Sequence, residues 1–184
     1  MELGWFGRKE SKGVPGDRFR KSAGSGSGKG PALGRLLSED LIVFAEKGLS
    51  KEQLIGQLVK RLCERRSLGA PETFLKKVLE REQGISTTLD TGLAVPHARM
   101  DELKNIAAIF AIVPGGMIDP NQTDLVIRSM FLFFSPNKQE SFTQHLHLLR
   151  GVSTLFQPDF IDQLQHAASG AEVLRLIAVK ESVV

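Results

Sequence analysis

Cysteine is nearly absent from this chain of 184 residues, Cys63 being the only one. That excludes an internal disulfide and any cysteine-rich zinc or iron-sulfur site. Long apolar runs are missing as well. The longest, Ile106 to Val113, falls far short of the roughly 20 residues that span a bilayer, and Met1 to Gly30 lacks the continuous apolar stretch of a secretory signal. No transmembrane segment is expected, and the expected location is cytoplasmic. A strong charge of one sign is also lacking. The formal net charge of +3 suggests nucleic acid only until it is divided: residues 1 to 30 carry seven Lys or Arg against three acids, and the remaining 154 residues carry 17 basic and 18 acidic groups. The basicity belongs to one end of the chain, so nucleic acid is not an expected partner. Histidine is scarce too, at positions 97, 145, 147 and 166 only.

What is present suits a soluble α/β protein. Apolar residues make up 41% and charged residues 24%, enough for one packed core, and the length suits one domain of about 100 to 150 residues with an appendage. The appendage is the Gly-, Ser-, Lys- and Arg-rich segment from Arg8 to Pro31. It predicts a flexible basic leader over residues 1–32 and a domain over 33–184. Gly24 to Gly30 imitates a phosphate loop, but Gly30 stands where that motif needs Ser or Thr after the lysine, and no strand precedes it. Trp5 and Phe6 beside Arg8 and Lys9 are most simply exposed residues of a terminus.

From Leu33 on, strand and helix periods alternate. Leu41 to Phe44 is a short apolar run of strand type. Ser50 and Gln53 form a capping box ahead of Leu54, Ile55, Leu58, Val59 and Leu62 at helical spacing, with Cys63 beside that stripe as a core residue. A second helix runs from Pro71 through Phe74, Leu75, Val78 and Leu79 to about Gly84. Leu93 to Val95 reads as a buried strand stopped by Pro96, and Ile106 to Val113 and Leu125 to Phe134 as two more, separated by turns at Pro114-Gly115-Gly116 and Asp119-Pro120-Asn121. Helices return over Ser141 to Phe156, Pro158 to Ala168, and from Ser169, where Glu172 completes a capping-box pattern. Strands apolar on both faces and interleaved with helices predict a single domain with a mixed sheet covered by helices on both faces.

Two histidines stand out. At about 100° per residue, Phe142, Leu146, Leu148, Leu149, Val152, Leu155 and Phe156 fall within roughly 100° of His145 on either side, whereas His147 lies beside Arg150 and Thr154 and should face solvent. The two rings therefore point apart on a helix, which argues against a metal site. A histidine in an apolar face needs a polar partner, so His145 is either a satisfied core histidine or part of a site. His97 is expected just beyond the end of the Leu93 to Val95 strand, where α/β proteins bind ligands, with Pro96 restraining the backbone before it. An exposed loop histidine is the alternative. His166 has no accompanying motif and reads as a surface or boundary residue.

The segment Arg81-Glu82-Gln83-Gly84-Ile85-Ser86-Thr87, followed by Gly92-Leu93-Ala94-Val95-Pro96-His97-Ala98-Arg99, resembles the signature of the enzyme IIA domains of the bacterial phosphoenolpyruvate-dependent sugar phosphotransferase system. The type is that of fructose and mannitol, a group that includes the nitrogen-related regulatory branch. The similarity runs from about Leu33 to Val179 and includes His145-Leu146 ahead of Leu149 and Ser153. The resemblance implies that His97 accepts the phosphoryl group, that Arg81 assists the phosphate, and that His145 is the second histidine of the site. Arg99, Ser86 and Thr87 are the further phosphate-binding candidates. It implies a phosphotransferase with a phosphohistidine intermediate that needs no cofactor or metal. The implied partners are a phosphocarrier protein of the HPr type as donor and an enzyme IIB, through its cysteine, as acceptor in sugar uptake; the alternatives are a regulatory IIA protein whose phosphorylation state controls a target, and a non-catalytic binding or scaffold domain. Asp90-Thr91-Gly92 departs from the family's usual Gly-Asn-Gly, which brings a carboxylate near the phosphate site, and Pro136 to Gln144 is somewhat longer than usual. Cys63, in a core stripe, is not an acceptor thiol. Imidazole suits the chemistry, being partly neutral near pH 7 and leaving a reactive phosphorylated form. Arg81 offers a permanent cation for the charge on the equatorial oxygens.

Overall fold

A computed structural model describes residues 32–183. The leader predicted over residues 1–32 lies almost wholly outside the described residues. Five strands form one mixed sheet in the order β1-β4-β5-β2, with β3 continuing the β2 edge beside β5. The elements are α1 (Leu33–Leu36), β1 (Ile42–Phe44), α2 (Lys51–Arg66), α3 (Pro71–Glu82), β2 (Leu93–Ala94), β3 (His97–Met100), β4 (Ala107–Asp119), β5 (Gln122–Pro136), α4 (Phe142–Leu155), α5 (Pro158–Leu164) and α6 (Gly170–Ser182). β4 and β5 are antiparallel, whereas β1 lies parallel to β4 and β2 and β3 lie parallel to β5. No helix among the described residues is long and apolar enough to cross a membrane.

Helices cover both faces, as the double-sided apolar strands require. Ile109, Ala111, Met130, Leu132 and Phe134 pack against α2 and α3. Their neighbours Ala108, Phe110, Phe131 and Phe133 turn the other way, toward the residues of α1, α4, α5 and α6. Leu54, Ile55, Leu58, Val59 and Leu62 of α2 are all buried. At about 1.5 to 3 kcal/mol per buried aliphatic side chain, that stripe outweighs the Ser50–Gln53 capping box, which is present in full and contributes about 1 kcal/mol. Cys63 is buried in the same cluster. Ser169 caps α6 by accepting from the Glu172 N–H, while the Glu172 carboxylate accepts from Ala168 N–H rather than from Ser169.

Two expectations about the strands need correction. Pro114-Gly115-Gly116 does not separate strands. β4 runs through it as a wide bulge: Ile112 pairs with Ser129 and Met117 with Ile127, so five steps along β4 oppose two along β5. Gly115 and Gly116 have φ of 80° and 72°, values that glycine adopts without steric cost, and only Asp119-Pro120-Asn121 forms the hairpin tip. The second correction concerns His97. It is not a loop residue beyond a strand end but the first residue of β3, paired with Phe133 of β5. Pro96 interrupts the edge strand without ending it, because at an edge its missing N–H is not needed for the ladder and its carbonyl still accepts from Phe133 N–H at 3.1 Å.

Candidate functional site

Register and pleat assemble the site. His97 and Arg99 are two apart on β3 and project from one side of it, the side opposite Ala98 and Met100, which enter the α2/α3 cluster. Their partners on β5 are Phe133 and Ser135. The His97 ring lies flat against Phe133, with centroids 5.3 Å apart and an interplanar angle of 11°. His145 descends from α4 onto both rings, 5.3 Å from each. It is 5% exposed, while His147 on the same helix faces solvent, as the helical periodicity predicts. Phe142 and Leu146, expected on the buried face, are both 47% exposed. Of the two, Phe142 packs its ring under the Arg99 guanidinium at 5.3 Å.

Hydrogen bonds set the protonation of His97. Its Nδ1 lies 2.8 Å from the Val95 carbonyl, which can only accept, so Nδ1 carries the proton and Nε2 holds a free lone pair. Burial holds the ring below its ordinary value of 6.5; the Val95 bond opposes this and the Arg81 charge adds to it. Burial likewise pushes His145 down, to about 4, with the His97 and Arg99 charges acting the same way. Both rings are neutral at pH 7. His145 Nδ1 meets Ser135 Oγ at 2.7 Å.

Arg81 sits on the last turn of α3, ahead of a folded-back loop. After α3 the chain returns along β2: Val95 N–H donates to Thr87 C=O at 3.0 Å, Leu89 N–H donates to Leu93 C=O at 2.8 Å, and Gly92 closes the turn at φ 85°. A Cβ there would lie 3.2 Å from the Val126 carbonyl, so glycine is required twice over. Arg81 is exposed and bonds the Ile85 carbonyl at 2.9 Å. Arg99 donates to the Lys138 carbonyl at 2.8 Å and covers the Phe142 ring at 5.3 Å, while its buried Nε has no partner. The Thr91 hydroxyl is likewise buried and unpartnered. Ser86 and Thr87 are engaged elsewhere: Ser86 Oγ donates to Asp119 at 2.8 Å, and Thr87 Oγ1 donates to Glu82.

Those hydroxyls belong to a buried polar cluster that the sequence reading missed. Lys51 Nζ meets Glu82 at 2.7 Å and Asp119 at 2.9 Å, with side-chain exposures of 4%, 7% and 0% for Lys51, Glu82 and Asp119. Ser86 and Thr88 accept further bonds from Lys51 at 3.1 and 3.2 Å. Burial pushes the Asp119 carboxyl up, but bonds from Thr88, Lys51, Asn121 N–H and Ser86 outweigh it and hold the group well below the carboxylate range. The cluster fastens the end of α3, where Arg81 sits, to the start of α2 and the β4–β5 hairpin tip. Lys51 follows the capping Ser50 and Asp119 precedes a Pro-Asn turn, contexts in which both read as surface residues.

The arrangement can present a lone pair at His97 Nε2 and hold an anion beside Arg81 and Arg99. Among the described residues, no group of three or more His, Cys, Asp or Glu side chains is placed to hold a metal ion. A cleft of about 470 Å³, lined by Pro114, Gly116, Val126, Arg128 and His166, lies at the other end of β5. His97 is 9% exposed, and Phe142, which Arg99 covers, is exposed.

Fold and site together define a class: an α/β domain that displays a neutral, singly oriented imidazole beside two arginines near its surface. The family described as "Phosphoenolpyruvate-dependent sugar phosphotransferase system, EIIA 2" matches residues 35–180, and the chain belongs to it. It is 31% identical over 148 residues to the "PTS system 2-O-alpha-mannosyl-D-glycerate-specific EIIABC component" of Escherichia coli (strain K12), covering 77% of this chain and 22% of that one. The chain thus spans about a fifth of that relative's length. Its fold is similar to the nitrogen regulatory protein IIA-Ntr from Neisseria meningitidis, with a TM-score of 0.70, 23% identity and coverage of 79% of this chain and 98% of that one. It is also similar to enzyme IIAMTL in the complex with phosphorylated enzyme IIBMTL from Escherichia coli, with a TM-score of 0.66, 23% identity and coverage of 77% and 96%.

Proposed function

We propose that this domain is a phosphoryl carrier that accepts a phosphoryl group on His97 Nε2 from a phosphohistidine carrier protein of the HPr type and passes it to the cysteine of an enzyme IIB in sugar uptake. The observation that carries the reading is the Val95 bond to Nδ1, which leaves Nε2 as the nucleophile. In the first transfer the Nε2 lone pair forms a bond to phosphorus as the donor's P–N bond breaks, and the donor imidazole leaves with that electron pair. In the second a cysteine thiolate attacks the same phosphorus and His97 leaves neutral, its Nδ1–H still donating to Val95 C=O. Arg81 and Arg99 balance the charge on the equatorial oxygens, which in a loose transition state is where stabilisation acts. Loss of one such cation costs about 2 to 4 kcal/mol of transition-state stabilisation, by analogy with an oxyanion donor.

The exposed apolar side chains of Ile85, Phe142 and Leu146 provide contact area around the cations, as protein interfaces do. The similar EIIABC component and the IIAMTL–IIBMTL complex support an enzyme IIB as acceptor. A regulatory role, in which the added charge alters binding to a target, uses the same His97 chemistry and is the second reading. The test is incubation with a phosphorylated HPr-type donor followed by a chase with enzyme IIB. Labelling that His97→Ala abolishes, and that the chase removes, is the expected result; a stable label insensitive to enzyme IIB favours the regulator, and no label overturns both.

A further inference from the structure

We infer that Ser135 is a positioning residue that holds His145 in the tautomer bearing its proton on Nε2, so that this N–H is offered to a phosphoryl group on His97; the direction of the offer rests on the function proposed above. Ser135 is completely buried, on β5, in register with Arg99 and two residues from the Phe133 that carries the His97 ring. Its hydroxyl has one hydrogen-bond partner, His145 Nδ1 at 2.7 Å.

Two arrangements fit that distance. If Nδ1–H donated to Ser135, the serine O–H would be a buried donor with nothing to receive it, the costlier of the two ways to leave a polar group. If Ser135 donates to the Nδ1 lone pair, the O–H is satisfied and the imidazole proton moves to Nε2. His145 Nε2 is not sealed in the protein. Among the described residues, buried side-chain polar atoms without a hydrogen bond occur at Thr91, Arg99 and Ser129, besides a Glu82 oxygen that Lys51 meets as an ion pair. The free N–H therefore keeps some contact with solvent, on a ring whose centroid is 5.3 Å from that of His97. The two rings become complementary: His97 is fixed by a carbonyl with its lone pair outward, and His145 by a hydroxyl with its proton outward. One attacks phosphorus and the other donates to a phosphoryl oxygen, with no proton exchanged between them.

The inference is tested by 15N NMR of the imidazoles in the full chain, combined with the rate of His97 labelling by phosphoramidate, a donor that requires no protein partner. Wild type should show His145 protonated at Nε2. Ser135→Ala should give a mixture of tautomers and label about 10-fold more slowly at an unchanged melting temperature, and Ser135→Thr, which returns the hydroxyl, should restore both. A wild-type His145 protonated at Nδ1 overturns the inference, as does a Ser135→Ala variant with unaltered tautomer or unaltered rate. Failure of wild type to be labelled at His97 instead counts against the proposed function, while the spectra still decide the tautomer.

Discussion

His145 links packing to pH. Burial first, then the charges of His97 and Arg99, lower it to about 4 from an ordinary 6.5. Between those values the unfolded chain binds a proton that the folded protein does not, so stability falls as the pH drops through this window. The loss is on the order of 3 kcal/mol for His145; the lowered His97 acts in the same direction, and Asp119 stays ionised throughout. Urea unfolding between pH 7.5 and 4.5 should therefore show a decline in which His145→Gln removes a large part and His147→Gln removes almost none. Equal effects of the two substitutions would refute the assigned environments. The choice of His145 over His147 was readable from helical periodicity alone. The Ser135 contact was not, because Ser135 ends the apolar run Met130 to Phe134 and its facing depends on the register of β5 with β3, which only the assembled sheet defines.

At the level of elements, the Lys51–Glu82–Asp119 cluster joins α2, the end of α3 that carries Arg81, and the β4–β5 hairpin. One buried cation faces two buried carboxylates there, and removing it leaves both uncompensated. Lys51→Met should lower stability by about 3 to 5 kcal/mol, measured as the denaturant midpoint with an unchanged slope; a loss below about 1 kcal/mol would show that the cluster relaxes into water and does not hold the end of α3. Periodicity located α2 to α6 and the two long strands, since each buries a continuous stripe, but not α1, a single turn too short to show one. It misread Pro114-Gly115-Gly116 as a break because bulge and turn use the same residues, and it placed His97 in a loop because a proline that stops a central strand is tolerated at an edge.

For the whole molecule, both cores and every candidate site residue fall within residues 33–182, and the Glu181 carboxylate accepts from the N–H groups of Leu33 and Gly34, tying the start of α1 to α6. Deleting residues 1–30 should therefore leave the melting temperature within about 2 °C and the His97 labelling rate within about twofold; a larger loss of either would mean that the domain boundary lies nearer the start of the chain. The α/β class and its helices on both faces were legible because strands apolar on both sides need two covers. The strand order was not, since pairing between distant segments leaves no local periodicity. The central claim, that the domain carries a phosphoryl group on one predetermined nitrogen, is tested most directly by 31P–15N NMR of the protein after incubation with a phosphorylated HPr-type donor. The predicted result is a phosphorus–nitrogen coupling to His97 Nε2 with Nδ1 still protonated; a coupling to Nδ1, or a phosphoryl group on another residue that survives His97→Ala, would contradict it.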